Sequence, residues 1–328
     1  MTTHRERLEN CLSGSPLDRV PLAFWRHFPV DDQTAEGQAE AHLAFQRQYD
    51  LDLVKVSPES SFCLRDWGAR DEWRGATEGT RTYTHWVIQH PEDWKSLPVL
   101  DPYKGYLGMQ LECLRLLTKA LHPSTPVIQT LFNPLSQAKN LVGGDRLIVH
   151  LRHYPDAVHA GLRTIAESTQ RFIEAAMDTG IDGIFFAVQH AQYGLLSPDE
   201  YLVFGKRYDL PLLESTRNLW LNMLHLHGLD VMFDLFVDYP VQIINWHDQE
   251  TPPSLHEAKQ RFPGVVCGGL RREETMVLGN PDQVAAEARR AIEETGGERF
   301  ILGTGCVIPI ITPYGNLMAA RRAVERPA

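Results

Sequence analysis

No apolar run in this sequence approaches the roughly 20 residues that a helix needs to cross a bilayer, which argues against a membrane protein. The opening stretch, MTTHRERLEN, is charged and lacks the apolar core of a secretion signal. Cysteine is scarce: Cys11, Cys63, Cys113, Cys267 and Cys306 are odd in number and show no CxxC spacing. That usage fits reduced thiols in a cytoplasmic protein rather than a disulfide framework. Positive charge is also short, and a net charge of −10 speaks against nucleic acid or an anionic membrane surface as the main partner. There is no GxGxxG after the first apolar segment, which weakens a dinucleotide-binding reading. Neither an internal repeat nor a low-complexity linker divides the chain, so residues 1–328 are expected to form one domain.

What the sequence does contain is a succession of short apolar segments separated by helical ones. Strands are expected at Asp18–Trp25, Leu51–Ser57, Pro126–Phe132, Ile181–Gln189, Leu221–Gly228, Val241–Asn245, Val265–Gly269 and Phe300–Gly303. Helices are expected at about 39–49, 103–121, 155–179, 197–217 and 281–295, with a last one begun by Thr312-Pro313. Ser197-Pro-Asp-Glu200 has the form of a helix start, with serine at the cap and acids in the first turn. Residues 60–100 break the rhythm and read as an insertion, with Thr82–Ile88 as one arm of a hairpin. Near-continuous apolar strands alternating with helices imply a parallel sheet covered on both faces. Eight such units favour a single (β/α)8 TIM barrel, an α/β fold, over an open sheet.

In such barrels the active site lies at the C-terminal ends of the strands. Those ends carry Arg26 and His27, Glu59, Asn133, Gln189 and His190, His225 and His227, His247 and Asp248, then Cys306. Four of the fourteen histidines, His190, His225, His227 and His247, therefore fall at the ends of the fourth to sixth expected strands, where bulk apolar packing does not require them. One histidine on a buried strand reads as a hydrogen-bonded core residue. Two at i and i+2 share one face, so His225 and His227 point the same way. With Cys306, which follows the turn Gly303-Thr-Gly305, they form a candidate three-ligand metal site. Two imidazoles and a thiolate suit zinc, leaving a fourth position for water or substrate. Asp248 and His190 are candidate acid–base groups. Arg26 could hold a substrate carboxylate through a bidentate pair, and His27, Gln189, Asn133 and His247 are candidate pocket lining. Cys267, inside a strand, reads as core.

These residues carry a resemblance. Asp18-Arg-Val-Pro21, Leu195-Leu-Ser-Pro198, the His225–Gly228 strand end, and Gly303-Thr-Gly-Cys306 with Thr312-Pro313 and Asn316 are similar to landmarks of the uroporphyrinogen decarboxylase superfamily. That superfamily includes zinc-dependent methylcobalamin:thiol methyltransferases. The resemblance runs over nearly the whole chain and implies a (β/α)8 barrel. Toward the decarboxylases, Arg26 falls where a first substrate-holding arginine belongs. The second would be Val30, and the family aspartate is replaced at Ser57-Pro58. Toward the methyltransferases, the pattern is His-x-Cys and a later cysteine in a glycine-rich turn. His225 and Cys306 match the outer members, and His227 stands where the first cysteine would be.

The methyltransferase branch therefore sets the leading expectation. It is a zinc enzyme moving a methyl group from methylcobalamin, borne by a corrinoid protein partner, to a small-molecule acceptor such as a thiol. The alternatives are a cofactor-free decarboxylase of a tetrapyrrole or another polycarboxylate, and a non-catalytic barrel-mouth binding protein. A homodimer is suggested by the resemblance alone.

Overall fold

A computed structural model describes residues 2–325. Its centre is a curled sheet of seven parallel strands. They are β1 (Val54–Val56), then, after a separate hairpin of β2 (Arg70–Glu72) and β3 (Thr82–His85), β4 (Val127–Phe132) and β5 (Gly183–Val188). The sheet continues with β6 (Met223–Leu226), β7 (Ile243–Trp246), β8 (Val265–Leu270) and β9 (Phe300–Thr304). The order β1-β4-β5-β6-β7-β8-β9 follows the chain. Side-chain alternation divides each strand between two cores. Ile128, Phe185, Met223, Ile243, Cys267 and Ile301 pack together inside the curl. Leu131, Phe186, Leu224, Ile244, Val266 and Leu302 face outward into the layer beneath the helices.

The strand expected at Asp18–Trp25 is reduced to a single bridge, Leu22 to Leu302. Ala23 N–H donates to the Leu302 carbonyl (2.9 Å), and Leu302 N–H donates to the Pro21 carbonyl (2.9 Å). On its other side Asp52 N–H donates to the Leu22 carbonyl (2.9 Å). This segment thus lies between the two edge strands of the sheet. Two local features shorten its ladder. Pro21 has no N–H to give, and Leu22 N–H is taken by the Asp52 carboxylate (2.7 Å). Asp52 is fully buried and also accepts from Arg7 (2.6 Å) and Arg19 (2.6 Å). The sheet is therefore seven strands and a bridge, where eight full strands were expected.

The helices are α1 (His4–Ser13), α2 (Ala35–Tyr49), α3 (Gly105–Leu121), α4 (Pro134–Val142), α5 (Gly144–His153) and α6 (Pro155–Met177). They are followed by α7 (Pro198–Tyr201), α8 (Arg207–Ser215), α9 (Leu255–Arg261), α10 (Pro281–Thr295) and α11 (Tyr314–Ala323). The expected cap at Ser197 is present as a capping box closed by Glu200. The helix foreseen from there to about Arg217 is broken at Leu202–Lys206 by a π-helical turn. Pro211, inside α8, supplies no N–H for the regular ladder. None of the described helices is long and apolar enough to span a membrane.

The expected hairpin arm appears as β3, which pairs antiparallel with β2. The turn between them rests over the strand ends. Thr77 accepts from Ile310 N–H (2.8 Å), Glu78 pairs with Arg272, and Gly79, at φ +79°, lies against His27. A Cβ on Gly79 would come within 2.6 Å of the His27 Cβ, so this contact needs glycine for space and for backbone angle.

Candidate metal centre

His225 sits on β6, and His227 follows on the same face just past its end. His227 N–H still donates to the Val188 carbonyl (2.8 Å), which extends the parallel ladder and holds the pair in register. Cys306 arrives from the turn after β9. Its Sγ is 3.7 Å from His225 Nε2 and 3.6 Å from His227 Nδ1. His247, in the turn after β7, completes the group. One donor atom from each of His225, His227, His247 and Cys306 lies within 4.8 Å of every other.

These spacings fit a metal ion. A tetrahedral centre with a sulfur at about 2.3 Å and a nitrogen at about 2.0 Å sets those two atoms about 3.5 Å apart. The two measured sulfur–nitrogen separations match. Each of two imidazoles is also aimed from behind, as metal-binding histidines are. Asn245 Oδ1 pairs with His225 Nδ1 (2.7 Å), and Glu250 pairs with His247 Nδ1 (3.0 Å). His247 Nε2 is buried with no hydrogen-bond partner, an orphan that a cation would satisfy.

Electrostatics favour the donor states of Cys306 and His225. Burial alone would raise the Cys306 thiol, but the imidazoles of His225, His227 and His247 outweigh it and hold the group well below its ordinary range. Burial lowers His225 against the opposing pull of Cys306. Burial opposes protonation of His247 too, yet Cys306 and Glu250 prevail and raise it. A thiolate among imidazoles is the form that binds divalent metals.

His247, read in the sequence as pocket lining, brings a fourth candidate donor to the three expected at His225, His227 and Cys306. The other expected residues divide by strand alternation. His27 points inward with Trp25, and its Nδ1 meets the Pro58 carbonyl (3.1 Å). Burial pushes it down to about 4. Arg26 takes the opposite face. Its guanidinium lies over the rings of Phe28 (5.0 Å) and Phe45 (5.9 Å) and reaches the Ile310 carbonyl at 3.4 Å. It is turned from the donor cluster.

Asn133 caps α4 by accepting from Ser136 N–H (2.9 Å) and donates to Asp209 (2.9 Å). Its hydrogen bonds are spent on structure. Gln189 and His190 lie at the rim after β5, where Gln189 Oε1 and His190 Nδ1 are buried without partners. Burial pushes His190 down to about 4. Asp248, one residue from His247, faces the other way. It accepts from Gly269 N–H (2.9 Å) and packs on Gly268. Burial pushes it up to about 7, and its Oδ1 is buried without a hydrogen-bond partner, outside the donor cluster.

Sequence reasoning missed Asn245 and Lys55. Both are polar residues at inward positions of apolar strands, and that misfit was the available signal.

The whole chain can be compared with known proteins on this footing. The family model described as uroporphyrinogen decarboxylase (URO-D) matches residues 3–327. Methylcobamide:CoM methyltransferase MtbA of Methanosarcina acetivorans is 22% identical over 96% of this chain and 95% of its own length. MtaA of Methanosarcina barkeri, with the same enzyme description, is 21% identical over 97% and 96%. A uroporphyrinogen decarboxylase of Dechloromonas aromatica is 25% identical over 71% of this chain and 68% of its own. Among solved structures, a methyltransferase from Methanosarcina mazei superposes with a TM-score of 0.84 at 20% identity, covering 98% of both chains. A B12-independent methionine synthase from Shewanella sp. W3-18-1 shares the fold more loosely, with a TM-score of 0.63 at 14% identity, covering 93% of this chain and 98% of that one. With a family model matched from residue 3 to residue 327, this chain belongs to the uroporphyrinogen decarboxylase family.

Proposed function

We propose that this protein is a metal-dependent methyltransferase. It would take a methyl group from a corrinoid carried on a partner protein and pass it to a thiol or a related small acceptor. The observation that carries this reading is the cluster of one thiolate and three imidazoles at tetrahedral sulfur–nitrogen spacing. Its donor set suits zinc. Full-length relatives named methylcobamide:CoM methyltransferases support the choice of reaction.

Held by His225, His227, Cys306 and His247, zinc would supply the Lewis acidity that keeps an acceptor thiol ionised near neutral pH. The chain's own residues do the rest. Asn245 and Glu250 aim two of the imidazoles. Trp25, Phe185 and Val307 wall the interior side and exclude water. His247, carried like Cys306 on a turn rather than a strand, would be the fourth donor and could yield room to the acceptor. In the proposed reaction the acceptor S–H would lose its proton to solvent, a carbon–sulfur bond would form as the cobalt–carbon bond breaks, and the bonding pair would stay on the corrinoid.

The decarboxylase alternative leaned on Arg26, whose orientation away from the barrel interior counts against it. The deciding assay incubates zinc-loaded protein with methylcobalamin and small thiols, following loss of the methyl–cobalt absorbance and formation of methyl thioether. Zinc-dependent transfer is expected. Metal-independent release of carbon dioxide from a porphyrinogen, with no methyl transfer, would overturn the proposal.

A further inference from the structure

Arg272 follows β8, and its guanidinium lies between carboxylates from distant parts of the chain. Nη1 pairs with Glu78, in the turn of the β2–β3 hairpin. Nε is buried with no hydrogen-bond partner, and Glu250 Oε1 stands 3.8 Å from it, just beyond hydrogen-bond reach. Glu273 lies 3.5 Å from Nη2 but is mostly exposed, so solvent screens that contact. The other oxygen of Glu250 pairs with His247 Nδ1 (3.0 Å). Burial opposes the charge on Arg272, and Cys306, Glu78 and Glu250 outweigh that and raise it. Glu78, Arg272, Glu250 and His247 thus form one relay from the hairpin to the donor cluster.

The relay has one shared joint. Glu250 serves two claimants, His247 and Arg272, and His247 holds it while Glu78 occupies the guanidinium. A guanidinium only 13% exposed has to keep an anionic partner, because an uncompensated buried charge is strongly destabilising. With Glu78 withdrawn, the shielded acid left to Arg272 is Glu250, and closing the 3.8 Å gap draws Glu250 off His247. We infer that Arg272 is a positioning residue for the fourth donor: with the hairpin turn seated it leaves Glu250 to aim His247, and with the turn lifted it takes Glu250 and frees His247. The inference rests on the metal-centre reading of the cluster and gives the hairpin a part in the reaction. Besides Glu78, the turn is seated by the Thr77 carbonyl on Ile310 N–H (2.8 Å) and by Gly79 against His27. A partner that displaces the turn at the strand ends would therefore also loosen the donor that makes room for the acceptor.

Cobalt(II) taken up in place of zinc reports donor number and geometry through its visible absorption. The test titrates the metal-free full chain with cobalt(II) for wild type, Glu250→Ala, Glu78→Ala, Arg272→Met and the double variant Glu78→Ala with Arg272→Met. Glu250→Ala should weaken binding about 10- to 100-fold and shift the spectrum. Glu78→Ala, which removes no contact to a donor, should shift the spectrum in the same direction and weaken binding about tenfold. Arg272→Met removes the competitor for Glu250, so its spectrum and affinity should match wild type, and adding Glu78→Ala to it should change neither. If Arg272 merely held the hairpin down, Arg272→Met would act as strongly as Glu78→Ala and the double variant would not recover. Arg272→Gln repeats the comparison if the methionine variant folds poorly. An unchanged spectrum and affinity in Glu78→Ala, or an effect of Glu78→Ala that persists without Arg272, would overturn the relay and leave the metal centre standing. Wild type that binds no cobalt would overturn the metal centre and the relay with it.

Discussion

Asn245 fixes the tautomer of His225. The Asn245 amide nitrogen is spent on the carbonyls of Cys267 (2.9 Å) and Thr304 (3.1 Å), so the atom facing His225 Nδ1 at 2.7 Å is its oxygen. Nδ1 must then carry the proton, and Nε2 presents a lone pair toward Cys306. One buried amide thereby ties β7, β8 and β9 to the ligand on β6. Asn245→Ala should weaken zinc binding by about 10- to 100-fold, read by competition with a chromogenic chelator. An unchanged zinc affinity would show that the tautomer is set elsewhere.

Gly305 controls the approach of Cys306 to His247. A Cβ at this position would lie 2.6 Å from the His247 Cα and 2.7 Å from the Trp246 carbonyl oxygen, both backbone atoms. Neither can rotate away. Gly305→Ala should force the two turns apart, costing about 1–3 kcal/mol of stability and lowering zinc affinity at the same time. Urea unfolding together with metal analysis of the variant checks both effects.

The closing segment depends on a buried charge. Asp52 receives Arg7, Arg19 and the Leu22 N–H, so its removal leaves buried Arg19 with only the more distant Asp50 (3.7 Å) and Arg7 with Asp18 alone. Asp52→Ala should cost about 3–5 kcal/mol, measured by denaturant unfolding. A loss below about 1 kcal/mol would mean that the bridge at Leu22 does not rely on this pair.

Asp248 gives a pH signature. Its carboxyl is pushed up to about 7 in the folded chain from 3.8 for a free aspartate, because burial disfavours the anion. A raised carboxyl contributes stability that is fully present below the lower value and is lost as pH rises through the higher one. Wild type should therefore lose stability relative to Asp248→Asn between about pH 4 and pH 7. Parallel curves for the two proteins would place the Asp248 carboxyl near its ordinary value.

Much of this was legible in the sequence because it depends on period. An i, i+2 histidine pair on an apolar strand must share a face, and β6 places His225 and His227 as expected. The cysteine after Gly303-Thr-Gly305 reaches them because β9 runs parallel to β6 in the same curled sheet. Parity also separates neighbours just past a strand end. His247 and Asp248 are adjacent in sequence, but the turn after β7 sends one to the cluster and the other under Gly268. Arg26 was weighed by its neighbourhood rather than by parity with Trp25, which points inward. The strand around Pro21 was credited with a full ladder that its missing N–H and the Asp52 carboxylate both interrupt. Asn133 looked like pocket lining because its helix-capping role becomes visible only with α4 in place.

The most direct measurement is metal content by mass spectrometry on chelator-free protein, comparing wild type with His225→Ala, His247→Ala and Cys306→Ser. The account predicts about one zinc per chain in wild type and a marked loss in His225→Ala and Cys306→Ser. His247→Ala should retain part of the metal, because the Cys306 thiolate and the His225–His227 pair, at 3.7 and 3.6 Å from it, remain. Wild-type protein that binds no zinc even when it is supplied, or variants that bind it as wild type does, would contradict the account.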